Sequence, residues 1–191
     1  NATVTLRDLT LSGGSAHLGG ALLIESGSTL MIFGSSIENN TATTDGGGIA
    51  NLGSLTIEQS ALLNNTAVNG GALLNQSTAS LTNITISGND STNGGGILND
   101  SGATLSLLHA TIADNTATSS GGGVHNVGTT NVSNTIISTN TSPLGPDAFG
   151  SLTSLAPNIL GDSAGTTGWQ AHDLLNIDPL LTSLQDNGGA T

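Results

Sequence analysis

Short apolar runs alternate with polar residues along most of the chain. In Val4-Thr5-Leu6-Arg7-Asp8-Leu9-Thr10-Leu11 the apolar positions are 4, 6, 9 and 11. This is the period-two signature of half-buried strands, interrupted at an Arg-Asp corner. The block returns as Leu30-Met31-Ile32 with Ser36-Ile37, as Leu55-Thr56-Ile57 with Ala61-Leu62, and as Leu105-Ser106-Leu107 with Thr111-Ile112. Leu81 with Ile84-Thr85-Ile86 reads as a copy shortened by about two residues, and Val132 with Ile136-Ile137 as the last and least regular.

Between these blocks Gly46-Gly47-Gly48-Ile49-Ala50-Asn51 recurs as Gly70-Gly71-Ala72-Leu73-Leu74-Asn75, Gly94-Gly95-Gly96-Ile97-Leu98-Asn99 and Gly121-Gly122-Gly123-Val124-His125-Asn126. A degraded copy, Gly19-Gly20-Ala21-Leu22-Leu23-Ile24, precedes them. The second glycines, Gly20, Gly47, Gly71, Gly95 and Gly122, are 27, 24, 24 and 27 residues apart. A period of that size marks a solenoid. A third column, Asn40, Asn65, Asn89, Asn115 and Asn140, has steps of 25, 24, 26 and 25. Each period then holds three strand-like pieces separated by Asn or Gly turns. Pieces so short do not make ordinary hairpin sheets. They predict an all-β, three-sided coil whose strands pair in parallel with the coils above and below, in about six coils of 24–27 residues.

Coils stacked about 4.8 Å apart place residues one period apart over one another. Leu22, Ile49, Leu73, Ile97 and Val124 then form an apolar interior column. Asn51, Asn75, Asn99 and Asn126 are expected to stack at a corner as an amide ladder, each donating to the carbonyl of the next coil. The glycine pairs serve as turn glycines, through positive φ or an approach too tight for a Cβ.

As a set, Gly-Gly-Gly-Ile-x-Asn, x-Gly-x-Leu-Thr-Ile and Asn-Thr-Ala resemble the right-handed parallel β-helix repeats of large bacterial surface proteins, in the pectate-lyase-like superfold. The resemblance covers residues 1–142 and implies a right-handed parallel β-helix. From Pro143 the repeat stops, and residues 143–191 hold all four prolines and the single Trp169. That segment is similar to the one that follows the last coils in such proteins, and is expected to cap the solenoid irregularly. Trp169, Leu174, Leu175, Ile177, Leu180 and Leu181 are expected to cover its lower end, where core and backbone would otherwise be exposed. The stretch from Leu184 to Thr191 completes the segment.

Composition narrows the function. One basic residue, Arg7, stands against 13 acidic ones, for a formal charge of −12. Such a chain cannot neutralise a phosphate backbone, so no nucleic-acid partner is expected, and an anionic membrane is disfavoured. No apolar run approaches the roughly 18 residues of a spanning helix. No signal peptide is visible and the chain opens on Asn1, which reads as a mature product or an excised segment. Cysteine is absent, and the absence of Lys points to an extracellular or cell-surface location.

Candidate chemistry is sparse. A lyase needs a base, and Arg7 beside Asp8 reads as a structural pair. A hydrolase needs carboxylates converging within about 5–10 Å, yet no two acids share a column in neighbouring coils: Glu25 and Asp100 lie three coils apart, and Asp90 and Asp114 fall among Thr and Asn. His17, His109, His125 and His172 occupy separate places, where zinc needs three or four convergent ligands. No cofactor is expected, although the residues leave calcium open near Asp173, Asp178 or Asp186. Outward hydroxyl columns, Thr10-Ser36-Thr85-Thr111 and Thr5-Thr56-Thr82-Ser106, suit solvent-facing strands. Sequons at Asn39, Asn64 and Asn83 are accessible candidates for glycosylation.

These features read as a non-enzymatic structural module of an extracellular fibre, adhesin or stalk. Leu6, Leu9 and Leu11 form a candidate assembly end for head-to-tail joining to copies of itself or to adjacent modules. Surface glycans are a further partner class. The alternatives are a polysaccharide-active or glycan-binding β-helix and, third, an ice-binding surface.

Overall fold

The computed structural model describes residues 2–182 and is a parallel β-solenoid of about six turns, with no helix among those residues. Three sides surround the core. One is a 13-stranded sheet and another a seven-stranded sheet. The third consists of Ser15–Leu18 paired with Thr41–Asp45 and Asp90–Asn93 paired with Thr116–Ser120, linked by single bridges through Thr66 and Asn69. Leu184 to Thr191, and with it Asp186, lies outside the described residues, as does Asn1.

A typical turn runs through Thr41–Asp45, Ile49–Asn51 and Ser54–Leu63, the last bending at Gln59. It therefore carries four strand segments, not three. The missed one is the Asn-Thr-Ala column, which continues as a strand. Its inward residues are Ala42, Ala67, Ser91 and Ala117, all buried. Side chains this small leave almost no apolar periodicity to read.

The central register also differs from the sequence reading. Thr78–Ser87 is not shortened, because it pairs residue for residue with Ser54–Leu63, setting Ala79 on Leu55, Leu81 on Ile57 and Ile86 on Leu62. An alanine in a leucine column conceals that alignment. The outward column below Thr5 consequently runs Met31, Thr56, Ser80, Ser106, so Ser80 and not Thr82 belongs to it.

The core is one strip of side chains repeated down the axis. Leu22, Ile49, Leu73, Ile97, Val124 and Ala148 stack in register. Beside them run Ile32-Ile57-Leu81-Leu107-Val132 and Ile37-Leu62-Ile86-Ile112-Ile137. Most are below 3% exposed, and each such side chain contributes about 1.5–3 kcal/mol of burial.

Corners are set by backbone conformation. Asp8, Gly34, Gln59, Asn83, His109 and Asn134 turn one corner at φ of 49–59°, and Gly13, Asn39, Asn64, Gly88, Asp114 and Thr139 turn the next at 52–71°. Asn, Asp and Gly tolerate this left-handed region best. The paired glycines divide their labour. The first of each pair, such as Gly94 at φ 65°, turns the chain. The second, such as Gly95, passes so close to the next turn that a Cβ would overlap the carbonyl oxygens of Gly122 and Thr116.

Stacking continues past residue 142. Ala148–Ser151 pairs with Val124–Asn126, Thr153–Ser154 with Thr129–Ser133, Ile159–Leu160 with Ile136–Ser138, and Leu174–Leu175 with Ile159–Leu160. The repeat dissolves at Pro143 because strands of two to four residues carry too few positions to show a period. Of the residues expected to cover the lower end, Trp169 and Leu175 pack against the core. Leu174, Ile177, Leu180 and Leu181 are instead exposed, Leu180 at 81%.

Two glycine substitutions separate close approach from torsion. Gly102 has φ +78° and open space around a would-be Cβ, so Gly102→Ala should cost only the left-handed strain of roughly 1–2 kcal/mol. Gly95→Ala should cost more than about 3 kcal/mol, beyond ordinary overpacking, because rigid backbone stands in the way. Urea unfolding of the two variants checks the ordering.

Candidate functional site

Polar side chains inside the solenoid are the most organised chemistry in the molecule. Asn51 Nδ2 donates to Asn75 Oδ1 at 2.7 Å, Asn75 to Asn99 at 2.8 Å and Asn99 to Asn126 at 2.9 Å. The same amides donate to the backbone carbonyls of Thr78, Thr104 and Thr129. Asn126 ends this ladder on the carbonyl of Ser151. Each of the four is buried.

A second ladder lies opposite, in the column that the sequence shows only as a repeated Asn. From Asn40 through Asn65, Asn89 and Asn115 to Asn140, each Nδ2 donates to the next Oδ1 at 2.8–3.0 Å. Each backbone N–H donates to that same oxygen at 2.8–3.1 Å. A buried amide without partners would be costly, and here every turn satisfies the one above.

This ladder ends on a carboxylate. Asp147 Oδ1 accepts the Asn140 N–H at 3.0 Å and Nδ2 at 2.9 Å, while Oδ2 accepts the Asp162 N–H at 2.7 Å. Burial pushes the Asp147 carboxyl above its ordinary value; the bonds from Asn140 and Asp162 oppose the shift and the nearby Asp162 charge adds to it. A shorter column ends alike. Asn158 Oδ1 accepts the Thr135 N–H, and Asn158 donates its own N–H and Nδ2 to Asp173 Oδ1 at 2.9 and 3.0 Å. Burial alone would raise Asp173, but hydrogen bonds from the Gln170 N–H, Ser154 Oγ and Asn158 outweigh it and hold the carboxyl below its ordinary value.

Two serine–histidine contacts resemble catalytic pairs by distance. Ser120 Oγ lies 2.8 Å from His125 Nδ1, but it is buried and donates to Asn93 Oδ1 at 3.1 Å. The three adjacent glycine N–H groups, of Gly121, Gly122 and Gly123, all bond to backbone carbonyls of the next turn, leaving no donors for an oxyanion. Burial lowers the pKa of His125; a backbone hydrogen bond at Ser120 and the charge of Asp100 act the other way. Ser154 Oγ lies 3.2 Å from His172 Nε2, but donates to Asp173 Oδ1, which is 3.8 Å from the same Nε2. A triad requires the acid to hold the other ring nitrogen. Both serines instead donate to neighbouring side-chain oxygens, Asn93 Oδ1 and Asp173 Oδ1. In the sequence these histidines stand apart, and only the adjacency of His172 and Asp173 points to a cluster.

The remaining charged groups are spread over the surface. Arg7 does not pair with Asp8. Its guanidinium lies 5.0 Å over the Phe33 ring, because Asp8 turns the corner at φ 53° and faces Gly34. His109 and Asp114 are corner residues at φ 54° and 57°. No group of three or more His, Asp or Glu among the described residues is placed to hold a metal ion. Thr3, Thr29, Ser54, Thr78, Thr104 and Thr129 form an unbroken outward hydroxyl column. Of the sequons, Asn39, Asn64 and Asn83 are all exposed.

The upper end is apolar. Val4, Leu9 and Leu23 are 43–45% exposed, and half-buried Leu6, Leu11 and Leu22 pack onto the core beneath. A cavity of about 320 Å³ opens between Val4, Leu6, Leu22 and Leu30. Thr3–Arg7 pairs only with Thr29–Phe33 among the described residues.

Fold and inner columns together define a parallel β-solenoid whose side-chain chemistry joins one turn to the next. The family model for the Chlamydia polymorphic membrane protein repeat matches residues 34–52, a stretch that contains Asn40, the glycines Gly46, Gly47 and Gly48, and Asn51. No curated protein and no solved structure matches the chain.

The ladders and their ends generate two expectations. Asn89→Ala strands the Asn65 N–H and one hydrogen of the Asn65 amide, while Asn115 Oδ1 keeps the residue-89 backbone N–H, so a loss of about 2–5 kcal/mol is expected, at about 1–3 kcal/mol per unsatisfied group; chemical denaturation measures it. Asp173 has a folded pKa below its ordinary value of 3.8. Its contribution is therefore fully present above that value and lost as pH falls through the folded one. The stability gap between the wild type and Asp173→Asn should be wide at neutral pH and narrow well below pH 3.8, as read from unfolding curves across that range.

Proposed function

We propose that the chain is a non-catalytic structural module of an extracellular or cell-surface protein, a rigid length of fibre, adhesin or stalk. The observation that carries this reading is the upper end, where an apolar rim and a strand edge are presented together. A further solenoid turn is the occupant that fits, since it would continue the parallel pairing and cover Val4, Leu6, Leu9 and Leu11 in one step. A second copy of the chain, or an adjacent module of a longer protein, supplies such a turn. Similarity to a repeat of polymorphic membrane proteins supports the surface location. The absence of cysteine and the charge of −12 are compatible with it.

Sedimentation and electron microscopy test the joining. The expected result is end-joined rods that lengthen with concentration and are abolished by Leu6→Asp. Short monomers at every concentration would overturn it. The unbroken hydroxyl column from Thr3 to Thr129 favours one second reading, an ice-binding face. Thermal hysteresis in the purified protein, lost on Thr78→Tyr, decides that point.

A further inference from the structure

We infer that Asp147 is a ladder terminator, a carboxylate delivered from the glycine corner into the place where the next turn's asparagine would stand. Ala21, Gly48, Ala72, Gly96, Gly123 and Asp147 occupy one column, each immediately before the inward strand residue of its turn. Above Asp147 that column holds only Gly and Ala. The reason is steric. A Cβ at Gly48, Gly96 or Gly123 would first meet the carbonyl oxygen of Ala72, Gly123 or Asp147 in the next turn, and would also crowd the side-chain amide of Asn65, Asn115 or Asn140 respectively. In each case the ladder asparagine of the following turn fills the space beneath the corner.

After Asn140 the ladder has no further asparagine, and the corner residue ceases to be small. Asp147 follows Asn140 by 7 residues, against 24–26 along the ladder, yet its Oδ1 accepts the same two bonds, from a backbone N–H and an Nδ2. A carboxylate fits an end position for a simple reason. An asparagine there would carry an NH₂ needing acceptors below, whereas a carboxylate only accepts. Its second oxygen is met by the Asp162 N–H, which fastens the closing loop to the ladder.

Asp173 repeats the arrangement independently. It lies below Asn158 in register, since Leu174 pairs with Ile159. One oxygen accepts the Asn158 N–H and Nδ2, and the other accepts the Gln170 N–H. In both columns an asparagine hands its two donors to an aspartate, and that aspartate anchors a loop amide. The pairs Asn140–Asp147 and Asn158–Asp173 thus mark where each polar column stops.

Amide hydrogen exchange tests the roles of the two oxygens. Asp147→Gly empties the place, and exchange at the Asn140 and Asp162 N–H groups should quicken by about tenfold or more, as for loss of an ordinary hydrogen bond. Asp147→Asn keeps one oxygen but sets an NH₂ against the Asp162 N–H. Exchange should then quicken at Asp162 and stay slow at Asn140, with residues 20–110 unaffected in both variants. Unchanged protection at both amides would overturn the assignment.

A substitution cycle at an upper turn does not depend on the lower end folding. Ala72→Asp should destabilise the protein by crowding Asn89, and Asn89→Gly by emptying the ladder. Combined, they place a carboxylate in the vacated space, and the urea midpoint should recover well above the sum of the single losses. Strict additivity, or a larger loss, would refute the equivalence of the two positions.

Discussion

Everything in this molecule depends on satisfying amides that the fold has buried. A solenoid turn of 24–27 residues cannot enclose its own core, because each turn exposes apolar surface and backbone edges above and below. Apolar columns remove the first problem without fixing alignment, since Leu, Ile and Ala exchange freely within them. The asparagine ladders fix alignment. An amide with oxygen above and hydrogens below is satisfied only when the neighbouring turn presents its own amide at the same height. A slip of one residue would break every bond in the column. Register is therefore decided by polar groups at the centre, while the apolar strip supplies most of the burial energy.

What could be read from the sequence follows from that division. The glycine-rich motif, its terminal asparagine and the large apolar residues recur with little variation, so the parallel solenoid and its interior column at Leu22, Ile49, Leu73, Ile97 and Val124 were legible. The side built on Ala42, Ala67, Ser91 and Ala117 was not, because residues that small leave no contrast between inside and outside. The register of Thr78–Ser87 was hidden by one alanine at a leucine position. Asp147 is illegible in the sequence for a subtler reason. It sits in a column whose other members are glycine and alanine, and its meaning lies in what they lack. Proximity of Ser154 to His172 arises from turn-to-turn stacking, and that of Ser120 to His125 from the glycine corner between them, neither of which periodicity alone reveals.

The surface, like the core, is laid out by the backbone. Corner positions collect Asp, Asn and His because those residues accept left-handed backbone, which scatters titratable groups that might otherwise converge. Arg7, the one strong cation, is engaged with Phe33. Hydroxyls and amides cover the strands, so the rod meets water with few charges and few aromatic faces. A protein of this kind is shaped by repetition, and its individuality is confined to its two ends.

The ladder from Asn40 to Asn140 also has a direction. Each of its five amides presents oxygen toward the upper end and passes a hydrogen toward the lower end. Amide dipoles aligned in this way add, as peptide units do along an α-helix, and leave partial positive charge where the series stops. That is where the carboxylate of Asp147 lies. The rod consequently has an electrical polarity along its axis, and its buried anion sits at the positive pole.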